Sequence, residues 1–157
     1  NCYLSVSTTT REKRKNDISG VTYNFVSKEE FEQKIKEDYF LEYTNYIGNY
    51  YGTPKAYVDQ LLDEGKNVVL EIEVQGALQV MKKVPDALTI FLVPPSMEEL
   101  EKRIRGRRTE AEDVIKERLD KARREIATKD QYKHVVVNDD VMHAKDDIVK
   151  IIEENMK

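Results

Sequence analysis

At 157 residues the chain is long enough to bury one core but hardly two. Its 39% hydrophobic and 36% charged content, with no apolar run of bilayer length, excludes disordered and membrane-spanning classes. A net charge of −4 argues against a general nucleic-acid coat, while the basic clusters "REKRK" and "KRIRGRR" leave local anion sites open. In chain order, "CYLSVS" reads as a strand and "TTTREKRKNDISGVT" as a long loop, since it lacks apolar period and is rich in turn formers. "YNFV" is a short strand. Ser27 with Glu30 forms a capping box that opens the helix "KEEFEQKIKEDYF", with Phe31 and Ile35 on its inner face.

"FLEYTNYIGNYYG" is aromatic and punctuated by Gly48 and Gly52, which predicts one or two antiparallel strands. Thr53 is placed to N-cap a helix with Pro54 at its first position and Gly65 as its stop signal. From there strands and helices alternate. "NVVLEIE", "LTIFLVPP" and "HVVVN" are apolar runs; "QGALQVMKKV", "MEELEKRIRG" capped by Ser96 with Glu99, and "DDIVKIIEENM" are helical. Ile115, Leu119, Ala122 and Ile126 form one stripe on a further helix. This alternation predicts an α/β fold, a parallel sheet core flanked by helices on both faces, interrupted by a small β-rich lobe inserted between residues 20 and 52. The single cysteine, Cys2, excludes an internal disulfide, and with no secretory signal visible the expected setting is the reducing cytoplasm.

Several residue groups have chemistry. Arg11 and Arg14 follow a run of hydroxyls in the long loop, so they form either a phosphate clamp, with hydroxyls as neutral donors, or a solvated basic loop. Tyr50 and Tyr51 are strand neighbours and point to opposite faces, so one packs and the other faces a cleft. Glu42 lies among apolar and aromatic residues, where an unpaired carboxylate is costly. It either accepts from a partner such as the two adjacent N–H donors of a guanine edge or lies on a solvent face. Glu71 and Glu73 are expected on one face at the carboxyl end of a parallel strand, where α/β sheets bind ligands. Arg103, Arg107, Arg108 and Arg118 surround a glycine between two helices; Lys102 and Arg105 fit an ordinary charged surface better. His134 and His143 have no spacing for a metal or a triad and are read as structural.

Taken in order, "SVSTTTREKR", "YNF", "FLEYTNYIGNYYGT", "LEIEVQGALQV", "FLVPPS", "RGRRTE" and "VVVND" resemble the guanylate kinase family over nearly the whole chain. The resemblance implies a P-loop NTPase-like fold spanning 1–157, with a GMP-binding lobe at 8–53 and a helical closing segment at 103–118. It implies phosphoryl transfer from ATP to GMP, giving ADP and GDP, with Mg²⁺ as cofactor. By the same resemblance Ser7, Arg11, Arg14, Tyr23 and Tyr51 hold GMP. Glu42 reads guanine with help from Ser7 and Thr53, and Glu73 lies near the nucleotide and metal. Arg103, Arg107 and Arg118 are the catalytic arginines near the transferred phosphate. Expected partners are GMP and ATP, with no nucleic acid and no membrane. Two departures stand out. The family's GxxxxGK[ST] loop, which holds ATP phosphates, does not appear ahead of "SVSTTTR", so the chain as given is expected to be inactive. Arg108 stands where many members have glycine. The alternative is a catalytically inactive guanylate kinase-like binding module; the intact arginine, tyrosine and glutamate set favours the enzyme.

Overall fold

A computed structural model describes residues 2–106 and 111–155. The chain divides into two compact units, Asn1–Pro85 and Asp86–Lys157. The first contains β1 (Cys2–Leu4), β2 (Thr8–Thr9), β3 (Asn24–Phe25), α1 (Lys28–Lys36), β4 (Phe40–Tyr46), β5 (Asn49–Pro54), α2 (Lys55–Asp63), β6 (Asn67–Val69) and α3 (Val74–Lys83). β1 and β6 pair in parallel, Tyr3 against Val68. The inserted lobe is a four-stranded sheet of order β3-β2-β5-β4. In it β2 runs parallel to β3 and antiparallel to β5, and β4 and β5 form a hairpin.

Local chemistry explains the lobe's edges. The hairpin turns through Ile47 and Gly48, whose φ angles are 51° and 81°, the sign that a two-residue type I′ turn requires at both positions. The β4–β5 register shifts between Phe40 and Glu42, leaving Leu41 as an extra residue on β4. α1 starts as expected: the Ser27 hydroxyl accepts from the Glu30 amide at 3.1 Å. Its Phe31 is fully buried between the rings of Phe40, at 4.4 Å, and Tyr50, at 4.8 Å, both stacked. Truncating such a ring costs about 3–5 kcal/mol.

In the first unit three expectations need correction. Thr8 and Thr9, assigned from sequence to the long loop, form a short buried strand. Thr53 does not cap α2; Pro54 occupies the cap position with no side-chain bond, because Thr53 lies in β5 and its hydroxyl is committed to Glu42. "NVVLEIE" is strand only over Asn67–Val69, so Glu71 and Glu73 lie beyond it and not on one strand face. Glu73 instead begins α3, its carboxylate accepting from the Gly76 amide at 3.1 Å. An N-cap carboxylate satisfies a helix donor and opposes the positive end of the helix dipole, which outweighs one more residue of strand.

The second unit contains β7 (Ile90–Val93), α4 (Met97–Gly106), α5 (Glu112–Ile126), a short 3₁₀ turn (Lys129–Gln131), β8 (His134–Val137) and α6 (Val141–Asn155). β7 and β8 are parallel, Phe91 against Val135. Phe91 and Val136 are buried while Leu92, Val135 and Val137 are exposed, so the apolar runs here bury alternate residues and not both faces. β-Branched composition reflects strand preference as well as burial. Ser96 caps α4 through the Glu99 amide as expected, and Ile115 and Leu119 are buried on α5. α6 starts before the predicted "DDIVKIIEENM", since the Asp140 carboxylate accepts from the Met142 amide at 2.8 Å and anchors an earlier first turn.

Candidate functional site

In the first unit the structure brings Arg11, Tyr23 and Tyr51 together. The Arg11 guanidinium lies 5.1 Å from the Tyr23 ring centre and 5.8 Å from that of Phe25. Tyr23 meets Tyr51 edge-on at 5.8 Å. Tyr51 therefore lies beside the cation while Tyr50 stacks on Phe31, the division of faces that strand alternation predicts. Arg11 donates to the Asp17 carboxylate at 3.0 Å, and the same carboxylate accepts from the Arg14 amide at 2.8 Å. Asp17 is held below the usual carboxylate range, first by the Arg14 amide and then by Arg11. Arg11 is raised, chiefly by its bond to Asp17, with Tyr51 and Tyr23 adding attraction. Arg14 itself is exposed.

The hydroxyls ahead of Arg11 are engaged elsewhere. Thr9 donates to the Tyr50 carbonyl at 2.8 Å and accepts from the Arg11 amide at 3.1 Å, while Thr10 accepts from the Tyr50 amide at 2.9 Å. These threonines fasten the start of the arginine loop to β5. Ser7 is half-buried just ahead of β2, and its carbonyl accepts from the Asn24 amide at 2.8 Å.

Glu42 settles the choice left open by spacing. It is 3% exposed, not on a solvent face, and its Oε1 accepts from the fully buried Thr53 hydroxyl at 2.7 Å. Burial pushes the Glu42 carboxyl up, with Glu73 adding to the rise; Thr53 and Lys83 oppose it. Desolvation dominates because one hydroxyl supplies only part of the solvation that two carboxylate oxygens lose. The arrangement is a buried acceptor, partly satisfied from within and suited to a ligand that offers N–H donors.

α3 lies against β4. Gln79 donates to the Tyr43 carbonyl at 2.8 Å and accepts from the Tyr43 amide at 3.2 Å, and Lys83 donates to the Leu41 carbonyl. No group of three or more His, Cys, Asp or Glu side chains suited to a metal stands among the described residues.

In the second unit, Arg103 is exposed on α4, 3.4 Å from Glu99 and within 3.5 Å of the Asn138 carbonyl. Arg118 is exposed on α5, and Arg107 and Arg108 lie outside the described residues. Arg105 grips Glu112 with two bonds of 2.7 Å and Glu101 with one of 2.8 Å, joining α4 to α5. Its pKa is raised by Glu112 first and Glu101 second.

The sequence matches the guanylate kinase family model over residues 1–155. The chain belongs to the guanylate kinase family. It is 54% identical over 149 residues to a guanylate kinase of Streptococcus thermophilus, covering 95% of this chain and 71% of that protein. To one from Lactococcus lactis it is 52% identical over 153 residues, 98% of this chain and 75% of the other. The crystal structure of guanylate kinase from Anaplasma phagocytophilum superposes with a TM-score of 0.84 at 34% identity, over 98% of this chain and 76% of that one.

Of the site residues expected from sequence, the structure places Arg11 with Tyr23 and Tyr51, and Glu42 with Thr53. Asp17, Gly76 and Gln79 escaped sequence reading. Asp17 follows Asn in a loop, an ordinary turn signal, and nothing in the helical pattern of α3 distinguishes a residue that faces β4 from one that faces core.

Proposed function

We propose that this chain serves the ATP:GMP phosphotransfer of guanylate kinases, turnover requiring the GxxxxGK[ST] loop that residues 1–157 do not contain, and that its GMP lobe, 8–53, is divided into a base reader and a phosphate holder. The observation that carries the reading is the buried Glu42–Thr53 pair. Guanine presents two adjacent N–H donors, and an ionised carboxylate accepts both; adenine presents a ring lone pair at the matching position and is repelled. Thr53 orients the carboxylate through Oε1 and Ser7 assists at the base. Arg11, Tyr23 and Tyr51 receive the monophosphate, with Arg14 completing the charge. Asp17 prepositions Arg11, so less side-chain entropy is lost when phosphate arrives.

Transfer of the γ-phosphoryl requires positioning and charge neutralisation and no covalent intermediate. Arg103, Arg107 and Arg118, in a closing segment at 103–118, are assigned the neutralising role by family resemblance. Mg²⁺ belongs to this proposal as a companion of the ATP phosphates. It takes most of its ligands from phosphates and water. Glu73, beside the base reader, is the acidic residue assigned to the nucleotide. No helix among the described residues is long and apolar enough to cross a membrane, and the single cysteine suits a reducing cytoplasm, where we place the chain.

Calorimetric titration of the chain with GMP and AMP tests the reading. GMP is expected to bind and AMP to bind far more weakly, and Glu42→Gln is expected to abolish that preference. Equal binding of the two nucleotides by the unaltered chain removes Glu42 from the base site.

A further inference from the structure

Glu42 is only as useful as its carboxylate is well placed, and α3 surrounds it. A side-chain carbon built on Gly76 would come 2.8 Å from the Glu42 Cδ and nearer still to Oε2. Atoms do not approach that closely, so the carboxylate occupies the space where any other residue would put its Cβ. One turn along, Gln79 holds both the carbonyl and the amide of Tyr43, the residue after Glu42. Lys83, one turn further, holds the carbonyl of Leu41, the residue before it and the extra residue at the register shift. These three positions lie at spacings of three and four, on one face of the helix. They bracket Glu42 from the backbone on either side and from above its side chain.

We propose that the Gly76–Gln79 face of α3 is a specificity-determining element. Gly76 leaves room for Oε2 beside a helix start, and Gln79 fixes the backbone of β4 so that the carboxylate stays in that room. This inference rests on the assignment of Glu42 as base reader. Oε1 is already held by Thr53, so Oε2 is the oxygen whose position Gly76 governs. Adding a methyl group there rotates or withdraws the carboxylate, and two-donor recognition is lost before binding of the sugar and phosphate is. Ordinarily Gly→Ala in a helix favours the helix. Loss of base selectivity without loss of fold is therefore the signature that distinguishes a positioning role from a purely structural one.

Inosine monophosphate is the discriminating probe, because its base lacks the exocyclic amino group of guanine and keeps the adjacent ring N–H. The experiment is calorimetric titration of this chain and its Glu42→Gln, Gly76→Ala and Gln79→Met variants with GMP and inosine monophosphate, alongside melting curves. Gly76→Ala is expected to melt near the unaltered chain and to lose the preference for GMP by about tenfold or more, the worth of a hydrogen bond to a charged group. Gln79→Met, which keeps the bulk and loses both bonds to Tyr43, is expected to lose it by a smaller factor. If Glu42→Gln loses the preference while Gly76→Ala keeps it, the inference is wrong and the base-reader assignment stands. If Glu42→Gln keeps the preference, the base-reader assignment falls and this inference with it. Should Gly76→Ala fail to fold, Gln79→Met decides, and an unaltered GMP preference in it overturns the proposal.

Discussion

The β-rich lobe and the α4–α5 region handle charge in opposite ways. In the lobe, Glu42, Thr44 and Thr53 are buried, and Arg11 and Asp17 pair with side chains only 12% and 11% exposed. Along α4 no residue is buried, and Arg103 and Arg105 pair with Glu99 and Glu101 at the surface, one turn apart. In the lobe, Glu42 and Thr53 pair across two strands and Arg11 and Asp17 across one loop; along α4 the partners are Glu99 and Glu101 of the same helix and Glu112 of α5. In the proposed function, the buried lobe groups meet charge that GMP carries before any reaction, and the arginines of the second unit meet charge that develops during transfer. The proposed function gives recognition to the first unit and chemistry to the arginines of the second, and the contrast in burial is what the experiments below probe.

The largest effect is expected at the base. Glu42→Gln puts an amide N–H against the guanine donors, and sites built on such bonds discriminate by roughly 10⁴ to 10⁵. Calorimetry with GMP and AMP should show most of that preference gone; a retained preference would break the comparison at its root. Next come the arginines. Arg11→Ala removes charge-assisted bonds to a phosphate, each about 1.5–3 kcal/mol, and should weaken GMP binding by one to two orders of magnitude, roughly. Arg118→Ala should leave GMP affinity intact in the same titration and, in a protein that carries the GxxxxGK[ST] phosphate loop, lower kcat in steady-state kinetics with ATP. Equal losses of GMP affinity in the two variants would erase the division between regions.

A smaller effect follows from pH. With the Glu42 carboxyl raised by burial, the folded protein holds its proton above the usual glutamate range. Its contribution to stability is full below the unfolded pKa and declines as pH rises through the folded one. GMP binding runs the other way, since guanine needs the ionised form: affinity should fall as pH drops through the raised pKa, and binding within that window should release protons. Titrations in buffers of different ionisation enthalpy measure the release, and Glu42→Gln, with no proton to lose, should flatten this component. The smallest effect is expected at Arg105→Ala. Its three bonds are exposed and solvent-screened, so the melting temperature should hardly move despite their short lengths.

Local signals were legible in the sequence where the chain itself supplies both partners. Ser27 and Glu30 announced α1, and alternation placed Tyr50 and Tyr51 on opposite faces. Family resemblance supplied Glu42 with Thr53, a pairing that neither residue's neighbours reveal. What remained hidden depended on tertiary placement. Thr53 followed by Pro54 is a sound cap signal, yet the hydroxyl gains more from a buried carboxylate than from a helix end. Glu73 ended an apolar run that looked like strand, yet the free amide at Gly76 drew it into a helix cap. Gln79 meets Tyr43 across 36 residues, and Gly76 matters through an atom it lacks, so periodicity registers neither.

The hairpin tip has a consequence for how the lobe can vary. Ile47 adopts a positive φ of 51°, a conformation that a β-branched residue disfavours and that asparagine or glycine would adopt readily. A tip that resists its own shape does not dictate how β4 and β5 align. Alignment must come from the strands, through the Tyr50 ring on Phe31 and the threonine bonds that tie β5 to the arginine loop. Ile47 is also 72% exposed. The tip is thus where sequence and length can drift at little functional cost, whereas one residue inserted between Asn49 and Thr53 would slide Thr53 away from Glu42 and turn alternate side chains to the wrong face.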